Sequence, residues 1–210
     1  MSQTAVIIFD FDGVLVESVD IKTKAFEGLY YEYGPEIVKR VIGYHLEHGG
    51  VSRYEKFRYF HETLLGIPLD EDKKIELADR FSKLVEDAVV DCPFVPGARE
   101  FLEDNYKKFA LFVASGTPED ELKRIISRRG MSGYFLGTYG APAKKGDILI
   151  KISKNYHNKT MLMVGDAMTD YQAASQAGIR FIGRVPEYNE SPFPGNTEII
   201  RNLTELAVYL

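Results

Sequence analysis

The chain has 210 residues, of which 45% are hydrophobic and 27% charged, enough for one ordinary domain or a core with a modest insertion. Its formal net charge of −5 gives no long-range attraction to nucleic acid or to anionic membranes, and basic pairs such as Lys144-Lys145 are too short to change that. One cysteine, Cys92, excludes an intrachain disulfide and a multi-cysteine zinc site.

In chain order, Met1-Ser2-Gln3-Thr4 lacks the positive region of a signal peptide, and the apolar run that follows is too short for a membrane span. A cytoplasmic protein is expected. Val6-Ile7-Ile8-Phe9 is a continuous β-branched and aromatic run, the pattern of a strand buried on both faces. Asp10-Phe11-Asp12-Gly13 follows it. Residues two apart on an extended chain point the same way, so both carboxylates can face one crevice, and Gly13 permits a sharp departure of the backbone. An acidic turn and a catalytic pair both fit these residues.

Residues 18–92 carry no strand-like run but strong helical periodicity. Tyr54, Phe57, His61, Leu64 and Leu65 share one helical face, as do Ile75, Ala78, Phe81, Val85 and Ala88. Gly34-Pro35, Gly49-Gly50 and Gly66-Ile67-Pro68 separate three or four helices, and Pro93 and Pro96-Gly97 mark the return to a sheet.

Phe109-Ala110-Leu111-Phe112-Val113 predicts the second strand. It leads to Ala114-Ser115-Gly116-Thr117, where a hydroxyl and free amides at a helix start suit either a phosphate or simple capping. Thr117 is the expected N-cap, with Pro118 at the first helical position, and Gly130 closes that helix. Lys145, with Lys144 as its competitor, precedes another helix. Met161-Leu162-Met163-Val164 predicts a strand ending in Gly165-Asp166-Ala167-Met168-Thr169-Asp170, whose two acids suit a hard cation such as Mg²⁺. Thr169 to Gln172 reads as a capping box and Gly178 as a helix end. Arg180-Phe181-Ile182 is a weaker strand. Residues 186–194 form an exposed connection without evident chemistry, before a last strand and helix. Strands alternating with helices imply an α/β fold, a Rossmann-like parallel sheet covered on both sides.

Asp-x-Asp, then Ser, then Lys, then Gly-Asp-x-x-x-Asp, at successive strand ends, resembles the haloacid dehalogenase-like hydrolase superfamily over residues 5–185. The likeness is to its phosphatase and β-phosphoglucomutase-like branch. Residues 18–92 are similar to that family's helical cap, which leaves 1–17 and 93–210 as the catalytic core. The resemblance implies that Asp10 attacks phosphorus and becomes an aspartyl-phosphate, and that Asp12 protonates the leaving alcohol and then deprotonates water. It implies Mg²⁺ held by Asp10, the Asp12 carbonyl, Asp166 and, directly or through water, Asp170. Ser115 and the Gly116 amide hold phosphoryl oxygens, and Lys145 offsets charge. An aspartate at position 12 favours P–O cleavage over dehalogenation.

Gly50-Val51-Ser52-Arg53 is similar to a cap loop whose arginine grips the substrate, so Arg53, with Lys56 three residues on, is a substrate-binding candidate. Ser52 capping a solvated basic helix fits the same residues. His45 and His48 are expected to be solvated rather than metal ligands. Many relatives carry a histidine where this chain has Lys22.

The expected function is a Mg²⁺-dependent phosphatase of a small phosphorylated metabolite, a sugar phosphate by analogy. A phosphomutase is the alternative, and a non-catalytic binding protein a third reading that would require a broken site position, of which there is none. No nucleic-acid or membrane partner is expected, and the oligomeric state is not legible.

Overall fold

The computed structural model describes residues 4–210, so the first three residues, part of the start read as lacking a targeting signal, lie outside the described residues. No helix among the described residues is long and apolar enough to cross a membrane.

Val6, Ile7, Ile8 and Phe9 are fully buried and lie in β1 (Thr4–Phe9). Around β1 stand β2 (Ala110–Pro118), β3 (Gly137–Ala141), β4 (Thr160–Gly165), β5 (Arg180–Arg184) and β6 (Ile199–Ile200). They form one six-stranded parallel sheet in the order β3-β2-β1-β4-β5-β6. The chain builds outward from β1 to β3 on one side, then crosses back to β4 on the other side of β1. That reversal opens a crevice beyond the carboxyl ends of β1 and β4, where open α/β sheets bind ligands.

Between β1 and β2 come α1 (Val19–Tyr30), α2 (Pro35–Glu47), α3 (Arg53–Tyr59) and α4 (Glu71–Asp91), with a π-helical turn, Phe60–Leu65, continuing α3. Aromatic rings hold these helices together: Phe26 lies 4.5 Å from Phe81, 5.6 Å from Phe60 and 5.8 Å from Phe57, centroid to centroid. The two strands of chain joining this segment to the sheet run side by side, with Glu17 N–H donating to the Pro93 carbonyl and Val95 N–H to that of Leu15. After it come α5 (Ala98–Asn105), α6 (Glu119–Arg128), α7 (Lys145–Asn155) and α8 (Met168–Ala177).

Alternation along β1 divides the core in two. Val6 and Ile8 pack with Ile148, Ile152 and Ala174 of α7 and α8. Ile7 and Phe9 pack with Leu102, Leu122 and Ile125 of α5 and α6, a core continuous with the aromatic cluster of the inserted helices.

The structure departs from the sequence expectations in several places. β3, Gly-Thr-Tyr-Gly-Ala, has no apolar run because it is an edge strand that is only partly buried. β2 extends to Pro118, so α6 begins at Glu119 and Thr117 caps nothing. α8 begins at Met168 rather than after Thr169, and it is Asp170 that accepts from the Ala167 amide. On α4 the buried face runs Leu77, Ala78, Phe81, Val85 and Val89, while Ile75 and Ala88 are exposed. Steps of four residues from Phe81 keep the packed stripe on one side, and Ile75 falls off it. The last helix is a 3₁₀ run, Leu203–Tyr209, after the two-residue β6.

Candidate active site

Asp10 follows β1 directly, and its amide donates to the Val164 carbonyl of β4 at 2.9 Å, which anchors it at the point where the sheet order reverses. Its Oδ1 accepts from the Phe11 amide at 2.6 Å and its Oδ2 from Lys145 Nζ at 2.6 Å. Lys145, at the first turn of α7, also donates to Asp170. Lys144 is exposed, so Lys145 alone of the pair enters the crevice. Carboxylate oxygens of Asp10, Asp166 and Asp170 lie within 4.8 Å of one another. At Gly13 the backbone takes φ +74°, and a Cβ there would stand 2.1 Å from an Asp166 carboxylate oxygen, so the turn and the acid can coexist only with glycine.

This acid cluster carries more negative charge than Lys145 offsets. Burial, with the charges of Asp170 and Asp12, pushes the Asp10 pKa up to about 7 despite Lys145. Burial, Asp10 and Asp170 likewise raise Asp166 well above its ordinary value. Lys145 is itself held charged, since Asp10 and Asp170 outweigh the effect of burial. Three converging carboxylates short of positive charge, all oxygen donors, fit a hard divalent cation.

Asp12 sits apart from that cluster in a different setting. Its Oδ1 accepts from Ser18 Oγ at 2.5 Å, and its Oδ2 accepts from Lys22 Nζ and from Thr117 Oγ1 at 3.0 Å. Lys22 also donates to Thr117 Oγ1 at 2.8 Å. Burial favours the neutral acid, yet the charge of Lys22 and the bonds from Lys22, Ser18 and Thr117 outweigh it and hold Asp12 below its ordinary pKa. Two carboxylates two residues apart are thus driven in opposite directions by their surroundings. Lys22 is therefore the ammonium that keeps Asp12 ionised. Ser18 and Lys22 are one helical turn apart, so both meet Asp12 from the start of α1. That spacing was available in the sequence.

Ser115 is buried, with Oγ 3.5 Å from Asp12 Oδ2 and accepting from the Thr117 amide at 3.1 Å. Gly116 faces the inserted helices at close range: a Cβ there would stand 2.5 Å from the Gly50 carbonyl oxygen. Thr169 Oγ1 donates to the Gly49 carbonyl at 2.8 Å, so the glycine pair lies directly over the crevice. The cavity between the crevice and the inserted helices, about 170 Å³, is lined by Asp10, Asp12, Lys22, Arg53, Lys56 and Pro192 among others. Pro192 belongs to the connection that sequence reading left without a role.

The inserted helices contribute two buried cations. Arg53 pairs with Glu121 of α6, NH1 to Oε2 at 2.9 Å and NH2 to Oε1 at 2.5 Å, and NH1 also donates to Ser82 at 2.9 Å. Its guanidinium lies over the Phe81 ring at 4.4 Å. Ser52 does cap α3, but the basic face behind it is not solvated, since Arg53 and Lys56 are both buried. Lys56 Nζ lies 2.8 Å from His45 Nδ1 and 3.3 Å from the His45 carbonyl. Burial and the charge of Lys22 bring the Lys56 pKa down to about 7.

His45 is a correction to the expectation of solvated histidines: it is buried against Phe26 at 4.7 Å because the aromatic cluster closes over it. His48 stacks on Tyr44 at 3.9 Å and does not meet His45 at a common point. Burial, then Lys56 and Lys22, lower the His45 pKa to about 3, so it is neutral in the fold. The unfolded chain takes up a proton near the ordinary value of 6.5 that the fold refuses until about 3, so stability is lost as pH falls through that window. His45→Phe removes this dependence. Between pH 7 and pH 5, urea denaturation should show the wild type losing about 2 kcal/mol relative to the variant. Parallel losses in both proteins would mean that His45 titrates normally.

A parallel sheet in this strand order, with a charged crevice at its switch point, defines a Rossmann-like α/β protein. Residues 7–184 match the haloacid dehalogenase-like hydrolases, and the chain belongs to that family of enzymes. It is 24% identical over 192 residues to the phosphorylated carbohydrates phosphatase of Thermotoga maritima, covering 88% of this chain and 87% of the relative. To the phosphoglycolate phosphatase of Aquifex aeolicus it is 29% identical over 191 residues, covering 83% and 82%. Its fold is similar to that of the HAD-hydrolase YfnB from Bacillus subtilis bound to magnesium, with a TM-score of 0.73 and 16% identity over 100% of this chain and 99% of that one.

Proposed function

We propose that the chain is a Mg²⁺-dependent phosphatase that hydrolyses a small phosphorylated metabolite, a sugar phosphate or a compound of similar size, through an aspartyl-phosphate on Asp10. The observation that carries this reading is the setting of Asp10, with Lys145 Nζ 2.6 Å from Oδ2 and the carboxylates of Asp166 and Asp170 within 4.8 Å. The names of the Thermotoga and Aquifex relatives support the substrate class, and the cavity of about 170 Å³ suits a small ester.

In this reading an Asp10 oxygen attacks phosphorus as the bond to the leaving alcohol oxygen breaks, and Asp12, which takes up a proton from solvent when the phosphate anion binds beside it, passes that proton to the alcohol. Water then attacks the phosphorus, Asp12 accepts its proton, and phosphate departs from Asp10. Lys145 neutralises the second Asp10 oxygen, and Ser115 Oγ and the Gly116 amide hold the phosphoryl oxygens. Mg²⁺ bound by Asp10, Asp166, Asp170 and the Asp12 carbonyl would supply the charge screening that lets a carboxylate approach a phosphate. Lys22 sets the protonation of Asp12 without touching phosphorus. Residues 18–92 act as a cap domain over a core of 1–17 and 93–210 and exclude bulk water from the cavity.

A panel of sugar phosphates and short phosphorylated acids tests the reading. Inorganic phosphate should be released with Mg²⁺, cease when EDTA is added and resume when Mg²⁺ is restored. Conversion of an ester to its isomer without phosphate release would make the protein a mutase. Turnover unaffected by EDTA would remove the metal from the scheme.

A further inference from the structure

The lining of the cavity includes a buried ammonium with no carboxylate beside it and, next to it, a buried imidazole whose Nε2 has no acceptor among the described residues. Lys56 Nζ approaches His45 Nδ1 at 2.8 Å. With Lys56 as the ammonium, which has only donors, Nδ1 is the acceptor and the proton of neutral His45 resides on Nε2. Nε2 is buried and has no hydrogen-bond partner among the described residues. The ammonium itself has His45 Nδ1 and the His45 carbonyl as its acceptors and, among the described residues, no carboxylate paired with it. Both side chains are more than nine-tenths buried, at 3% and 7% exposure, and both line the cavity. A buried cation without a counterion is costly, and so is a buried N–H without an acceptor. A buried pair short of acceptors, on residues that line a ligand cavity, is a half-built anion site.

Arg53 lines the same cavity but does not share this property. Its charge is met by a two-bond pair with Glu121, and Ser82 takes a further bond. Arg53 thus joins the inserted helices to α6, and the cation with unsatisfied capacity is Lys56.

We infer that the substrate carries a second oxyanion, a carboxylate or a second phosphate, at the end remote from the transferring phosphoryl group, and that Lys56 Nζ and His45 Nε2 donate to it. This rests on the phosphatase reading of the same cavity and narrows its substrate class. The anion supplies the missing counter-charge, and it restores to Lys56 the protonated state that burial and Lys22 work against, with Asp12, Asp166 and Lys145 as the other charges acting on it.

The test compares three phosphomonoesters of matched length whose far ends bear a carboxylate, a phosphate or a hydroxyl, with the full chain and Mg²⁺. The wild type should prefer one or both of the oxyanion-ended esters in kcat/KM, and which one it prefers separates carboxylate from phosphate. Lys56→Met should reduce kcat/KM for the oxyanion-ended esters about 10- to 100-fold more than for the hydroxyl-ended one, chiefly through KM, as expected for a lost hydrogen bond to a charged group. Lys56→Arg should recover part of that difference. Equal losses on all three esters, or a wild type that prefers the hydroxyl end, overturn the inference.

Calorimetric titration of the same compounds into Asp10→Asn protein reads the site without turnover. Tighter binding of oxyanion-ended compounds, lost on adding Lys56→Met, sustains the inference even if no ester is hydrolysed, and in that case only the phosphatase reading falls. Indifference of binding to the far end overturns it. Should Lys56→Met fail to fold, the wild-type preference and the Lys56→Arg variant decide the matter alone.

Discussion

Asp10→Asn is expected to lower phosphatase turnover by at least about 10⁴-fold, on the scale of nucleophile removal in enzymes that form covalent intermediates. An amide oxygen has neither the charge nor the basicity to attack phosphorus, and no other carboxylate shares the position of Asp10 beside both Lys145 and the Val164 strand end. The same change should not weaken the fold. The ionised Asp10 is disfavoured by burial and by Asp170 and Asp12, its pKa standing near 7 instead of 3.8. That penalty is present above pH 7 and shrinks as pH falls toward 4, where folded and unfolded chains are both protonated. Removal of the charge should therefore raise the melting temperature of metal-free protein at pH 8, and raise it less at pH 5. Lys145 keeps Asp170 as its partner in the variant. A variant that retains wild-type rate would remove Asp10 from the chemistry. One that melts many degrees lower would make its role structural.

Asp12→Asn is the second large effect. With an alkyl phosphate, whose leaving oxygen must be protonated, kcat/KM should fall about 10²- to 10⁴-fold. An aryl ester with a stabilised phenolate needs no proton to depart, so the first step should survive. Its product should appear as a burst of one equivalent per chain, followed by slow turnover, because water no longer has a base to attack the aspartyl-phosphate. Equal losses with both esters and no burst would mean that Asp12 holds the site together without moving a proton. The substitution also removes the counter-charge of Lys22, whose partly buried ammonium then keeps only neutral acceptors such as Thr117 and the new amide oxygen. Adding Lys22→Met to Asp12→Asn should therefore recover stability but not rate, which separates the two contributions.

Much of the frame was legible because the signals are local. The two-sided apolar runs mark β1 and β4, since a strand covered on both faces must be apolar at every position. Gly130 and Gly178 mark helix ends because the chain there turns through positive φ, +70° and +65°. The order Asp10, Ser115, Lys145, Asp166 is enough to indicate the family, and the fold carries those residues to one end of the sheet. β3 escaped the same reading because an edge strand of glycine, threonine and tyrosine has no apolar run to detect. Thr117 was misplaced as a cap because Thr-Pro-Glu-Asp has the composition of a helix start, whereas the extended chain of β2 continues to Pro118 and turns the hydroxyl toward Asp12.

By itself, then, the sequence determined the alternation of strands and helices, the inserted helical segment and the acids at the strand ends, all from patterns spanning about ten residues or fewer. Only the tertiary structure decided what each charge meets. Lys145 reaches Asp10 across 135 positions, Lys22 reaches Thr117 across 95, and Arg53 reaches Glu121 across 68. No periodicity encodes such pairs. They follow from how the inserted helices seat over the sheet, and they alone leave Asp12 ionised, Arg53 neutralised and Lys56 without a counter-charge. Burial makes these differences matter, because a charge away from water is governed by its nearest partner and not by the net charge of the chain.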